Sequence, residues 1–79
     1  MEKDEVFQKV KEIIADTIDI TSDEISMDSS VLEDIELSSL DVLEVVTEIE
    51  SIYGISFTND DFMNITTVED FVNAVLNKQ

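Results

Sequence analysis

No proline interrupts this chain, and its only glycine is Gly54. Such a sequence lacks the punctuation that separates the short strands of a β-fold, and it leaves helices free to run. The apolar residues agree. Val6, Val10, Ile13, Ile14 and Ile18 recur on one helical face, which predicts a first helix from about residue 4 to about residue 18. Glu2, Asp4 and Glu5 fall near its start, where negative charge suits the helix dipole. A second helix begins at Ser38 or Ser39, either of which can cap it, and Asp41 stands three residues beyond Ser38 as in a capping box. Leu43, Val46, Ile49 and Tyr53 give its buried stripe, flanked by Val42, Val45 and Ile52. Gly54 then supplies a left-handed terminator, with Ile55 as the apolar contact just after it.

A short third helix is expected across 60–64, capped by Thr58 or Asn59. The last helix starts at Thr66 or Thr67, with Glu69 or Asp70 at the matching third position. Val68, Phe71, Val72, Val75 and Leu76 form its stripe, and Lys78 suits its C-terminus. The expected fold is all-α: one domain over 1–79, a small four-helix bundle of three main helices and one short one. Residues 19–38 break the pattern, with weak periodicity and many Ser, Thr and Asp. A link of that length in a compact domain usually has a function. Ile25, Val31, Leu32 and Ile35 are expected to pin it to the core, with a helical turn near 31–35.

Composition removes most chemistry. There is no Cys, hence no disulfide and no thiolate; there is no His, the commonest general base and zinc ligand. Ser38 and Ser39 have no Lys or His nearby in sequence to activate them and no glycine-rich elbow to present them, so no enzyme and no catalytic residue is expected. The acids at Asp23-Glu24, Asp28 and Asn59-Asp60-Asp61 lack the spacing of a calcium loop, so no dedicated metal site is expected.

The charge is lopsided. Four lysines face twenty acids, for a net charge of −16. Lys3, Lys9 and Lys11 lie at one end and Lys78 at the other, so 12–77 contain no basic side chain. Nucleic acids and anionic membranes are therefore poor partners. Basic protein surfaces are the natural counterpart, with steering that weakens as salt rises. No apolar run approaches the length of a membrane span and the start is charged, so a cytoplasmic monomer is the expectation.

From Val31 the chain reads Val-Leu-Glu-Asp-Ile-Glu-Leu-Ser-Ser-Leu-Asp-Val-Leu-Glu-Val-Val. This resembles the acyl carrier protein motif, in which an acidic pair precedes Asp-Ser-Leu at the head of the second helix. Glu33-Asp34 match the pair, Ser39-Leu40 match the Ser-Leu, and Ile65-Thr66-Thr67-Val68 fall where the family has them before the last helix. Two positions depart from the pattern: Ser38 stands where the family usually has Asp, and Glu36-Leu37 where it has Gly-Ala or a similar pair.

The resemblance implies a covalent 4′-phosphopantetheine arm on Ser39, with Ser38 as the neighbouring alternative. It implies acyl groups carried as thioesters for fatty-acid or polyketide-type synthesis. The implied partners are a phosphopantetheinyl transferase and acyl-transferring enzymes whose basic surfaces meet Leu40, Asp41, Glu44, Glu48 and Glu50. It also implies shelter for an acyl chain between helices, with Leu43, Val46, Ile49 and Ile65 as candidates, though ordinary core packing suits all four. An aminoacyl or peptidyl cargo delivered by an adenylating enzyme is the alternative within the family. An acidic helical adaptor without a prosthetic group is the alternative outside it.

Overall fold

The structure, a computed structural model, describes residues 2–78. Among the described residues, four α-helices form the bundle: α1 Lys3–Ile18, α2 Ser39–Tyr53, α3 Asn59–Met63 and α4 Val68–Lys78. A 3-10 turn at Ser22–Glu24 is the one helical segment without a sequence signal. Helix α1 is the hub, packed on both α2 and α4, whereas α3 has no comparable packing on any helix.

The core is aliphatic with one buried aromatic. Val6, Val10, Ile13 and Ile14 of α1 meet Val45, Val46 and Ile49 of α2 and Val68, Phe71, Val72 and Val75 of α4. Ile18, Tyr53 and Leu76, expected inside, are half-buried at its margins. Two further expectations are corrected. Leu43 is 51% exposed, because the α2 stripe that faces the core is Val42, Val45, Val46 and Ile49, and Leu43 stands about 100° round the helix from Val42. Leu32 is 63% exposed, since the turn at 31–34 directs Val31 inward and its neighbour out.

Among the described residues, three take left-handed backbone. Gly54 ends α2 at φ 65°, as its lack of a side chain predicts, and Asp19 ends α1 at φ 58°, a conformation aspartate tolerates. Glu36 is the third, at φ 62°, a conformation that favours glycine and strains a longer side chain.

The long first loop is ordered by the chain far ahead of it. Val31 N–H donates to Thr66 O (2.9 Å), Val68 N–H to Ser29 O (3.0 Å) and Glu69 N–H to Met27 O (3.1 Å), around an isolated antiparallel bridge between Ser30 and Thr67. The turn expected near 31–35 closes by donation from Asp34 N–H and Ile35 N–H to Ser30 O. Leu37, absent from the expected core, is buried at 3% exposure, and its N–H donates to Val31 O at 2.8 Å.

Candidate functional site

Two adjacent serines compete for one role at the start of α2, and the geometry separates them. Ser38 is the cap: its Oγ accepts from Asp41 N–H (3.1 Å), and its own N–H donates to Asp41 Oδ2 (3.0 Å). The reciprocal pair satisfies two of the orphan donors of the helix end. Ser39 is the first helical residue. It is exposed, and its hydroxyl lies outside the capping box.

The motif's acidic pair divides in the same way. Asp34 Oδ2 accepts from Ser30 N–H at 2.8 Å and braces the turn, while Glu33 is exposed with only its N–H engaged, on Ser30 Oγ at 3.1 Å.

Ser39 stands at the edge of an apolar groove of about 320 Å³. Val31 and Leu32 of the first loop, Val42 and Leu43 of α2, and Phe62 and Ile65 at α3 line the rest. Of the four candidates for sheltering a chain, Leu43 and Ile65 reach this groove. Val46 and Ile49 are instead fully buried in the core between helices. Phe62 carried no sequence signal for this position, because a five-residue helix shows no stripe.

Around the mouth, Leu40 is 65% exposed and points away from the core face of α2. Asp41, Glu44 and Glu48 share one side of that helix. Glu44 and Glu48 are exposed, and both line a shallow depression of about 360 Å³ with Thr17, Leu43 and Thr47. Asp41 is half-buried with one oxygen held by the cap. Glu50 is not brought to this side. It lies across the helix, half-buried, and its carboxylate accepts from Phe57 N–H at 2.8 Å. That bond orders the turn after α2 and explains an acid at that position without a partner protein.

The lysines are all occupied within the molecule. Lys3 meets Glu69 (2.7 Å), Lys9 meets Glu12 (3.8 Å), Lys78 meets Asp61 (2.8 Å), and Lys11 lies over the Phe7 ring at 4.8 Å. Hydrogen bonds from Lys78 and from the Thr58 backbone hold the Asp61 carboxyl below its ordinary range. The α2 face is left wholly anionic. Among the described residues, no cluster of three or more acids is placed to hold a metal ion.

The family model described as the phosphopantetheine attachment site matches residues 8–75. An acyl carrier protein from Petrotoga mobilis is 38% identical, covering 99% of this chain and 92% of that one. The chain belongs to the acyl carrier protein family. Further members that match include those of Rubrobacter xylanophilus, 35% identical over all of this chain and 98% of the relative, and Coprothermobacter proteolyticus, 33% identical over 95% and 92%.

Membership makes the protein a carrier and not a catalyst, bearing covalent 4′-phosphopantetheine and meeting a phosphopantetheinyl transferase and acyl-handling biosynthetic enzymes. The head of α2 fits that group. With Ser38 N–H and Asp41 N–H committed to the cap, the N–H groups of Ser39 and Leu40 are the donors a helix start leaves for a phosphate. Glu36 and Asp41, three and two residues from Ser39 in sequence, carry negative charge that opposes a phosphate there. The dipole contributes only about 0.3–1 kcal/mol at an exposed end, so an arm here is tethered without being gripped.

Proposed function

We propose that Ser39 is the attachment residue and that the protein carries acyl chains, as intermediates of fatty-acid or polyketide-type synthesis, on a monomeric unit spanning 1–79. The observation that carries this reading is the division of labour at the helix start. Ser38 supplies the cap, which leaves the exposed Ser39 hydroxyl at the edge of an apolar groove. The arm supplies a thiol that holds the cargo as a thioester, so a chain without cysteine can do thioester work.

The protein's own residues do the remainder. Val31, Val42, Leu43, Phe62 and Ile65 offer a surface that favours hydrocarbon over a charged aminoacyl group, since each CH₂ removed from water contributes about 0.8 kcal/mol. Leu40 with Asp41, Glu44 and Glu48 forms the docking face, an apolar contact bordered by acids that steer basic partner surfaces. A net charge of −16 opposes self-association, in keeping with a monomer. The phosphopantetheine-site match weighs against the adaptor reading.

The test is incubation with coenzyme A and a broad-specificity phosphopantetheinyl transferase, followed by intact mass measurement of the wild type and of Ser39→Ala. A phosphopantetheine increment in the first and none in the second is expected. An increment that persists in Ser39→Ala would move the site. Loading with a series of straight acyl chains then tests the cargo: melting temperature should climb with chain length. Loading by an adenylating enzyme with amino acids alone would favour the aminoacyl alternative.

A further inference from the structure

Helix α3 and the turn after it form one wall of the groove through Phe62 and Ile65, which are partly buried against the core rather than enclosed in it. The helix has five residues, far below the length at which a helix stands unaided in water, and none of its side chains is fully buried. Its start is tied by a local capping box in which Thr58 Oγ1 accepts from Asp61 N–H (3.2 Å) and Asp61 Oδ2 accepts from Thr58 N–H (2.8 Å). Those bonds shape the helix but fix it to nothing else.

Beyond the packing of Phe62 and Ile65 on the core, a polar connection to the rest of the bundle comes from the end of α4. Lys78 Nζ lies 2.8 Å from the same Asp61 Oδ2, and 5.9 Å from the centre of the Phe57 ring. Phe57 in turn packs against Phe62 at 6.3 Å between ring centres, tilted by 58°. Lys78 therefore touches both the acid at the head of α3 and the aromatic residue that braces the groove wall. Its ion pair is the most sheltered of the three among the described residues, with side chains 24% and 27% exposed against 41% or more in the others. No other cation occurs after Lys11, so nothing nearby in sequence can replace it.

We propose that Lys78 is a latch on α3: by clasping Asp61 and covering Phe57 it holds the Phe62–Ile65 wall against the bundle and sets how readily the groove widens. Lys78 touches no cargo and acts through α3, as a positioning residue. The functional meaning rests on the reading of the groove as an acyl shelter, while the latch itself is a statement about α3 alone. A chain entering beside Phe62 must push that ring aside, and the push is resisted through Phe57 and Lys78. Loss of the latch leaves the Thr58–Asp61 cap intact, so α3 is loosened and not abolished.

The experiment compares wild type, Lys78→Gln and Lys78→Arg by residue-resolved amide hydrogen exchange of the unloaded protein. The reporters are the N–H groups of Phe62, Asn64 and Ile65, bonded to Thr58 O, Asp60 O and Phe62 O. The controls are Val10 and Val46 in the core. Lys78→Gln should speed exchange at the reporters about two- to fivefold, the range spanned by partly exposed ion pairs, and leave the controls unchanged. Lys78→Arg should restore protection.

Unchanged reporters, or an equal rise at reporters and controls, would overturn the latch. The acyl-chain series, run on loaded wild type and Lys78→Gln, reads the consequence: each added carbon should raise the melting temperature more in the variant, whose wall yields more easily. If the wild type shows no dependence on chain length, the acyl-shelter reading falls, and the exchange contrast still decides whether Lys78 holds α3.

Discussion

Ser38→Ala and Ser39→Ala differ by one position and should fail in opposite ways. Ser38→Ala removes the Oγ that accepts from Asp41 N–H at 3.1 Å and leaves the reciprocal bond from its own backbone N–H to Asp41 Oδ2. Loss of a serine cap costs about 1 kcal/mol, within a range of roughly 0.5–2. In a domain of this size 1 kcal/mol lowers the melting temperature by about 4–8 °C. The attachment reaction should proceed normally in that variant. Ser39→Ala touches no capping bond and places a better helix former at an exposed position, so stability should move by less than about 0.5 kcal/mol. Its modification should vanish.

Thermal melts followed by circular dichroism, paired with intact mass after treatment with coenzyme A and transferase, read both quantities on the same samples. Ser38→Asp adds a control, since aspartate caps about as well as serine and should restore the melting temperature. A destabilised Ser39→Ala beside an unaffected Ser38→Ala would refute the assignment of the cap, and with it the argument that Ser39 is left free.

Glu36 sits at φ 62°, so Glu36→Gly should raise the melting temperature above that of Glu36→Gln, which removes the charge alone. Relief of about 1–2 kcal/mol of left-handed strain outweighs the roughly 0.5–1 kcal/mol that glycine loses in chain entropy, and equal melting temperatures would show the conformation is unstrained. Most acids have no counter-charge among the described ion pairs, so added sodium chloride or millimolar-range magnesium should stabilise the fold, and a flat salt response in thermal melts would contradict this. Burial and then the nearby Glu5 charge raise the Tyr53 pKa. A raised folded-state pKa means stability is intact below the ordinary tyrosine value and is lost as pH rises through the folded one. Tyr53→Phe should therefore resist alkaline unfolding better than wild type. Tyr53 is the only tyrosine in a chain without tryptophan, so phenolate absorbance reports its titration directly, and a midpoint equal to that of the unfolded chain would refute the shift.

What could be read from the sequence was local. The helices of α1, α2 and α4 follow from stripes, caps and Gly54, all of which act within a few residues, and the proposal of Ser39 rests on a contiguous motif. Misreadings arose where local rules leave a choice. Val42, Leu43, Val45 and Val46 are all apolar, so two overlapping stripes satisfied the helical period, and only packing against α1 selects the one without Leu43. The choice between Ser38 and Ser39 as cap is likewise set by how the helix start folds, with Ser38 Oγ accepting from Asp41 N–H. Leu37 and Phe62 went unseen because each lies outside any periodic run, one held by a bond to Val31 O and the other by the groove. Glu50 looked like its acidic neighbours until its bond to Phe57 N–H appeared. The clasp of 27–31 onto 66–69 uses main-chain groups, which carry no residue-specific signal.

That clasp also dictates an order of assembly. The serine proposed for attachment lies at mid-chain, but the loop that brings Val31 to the groove beside it is tied down by Val31 N–H donating to Thr66 O, Val68 N–H to Ser29 O and Glu69 N–H to Met27 O. Contacts between such distant segments form late, since the intervening chain must first be gathered. A growing polypeptide thus displays the proposed attachment serine before it owns a finished groove.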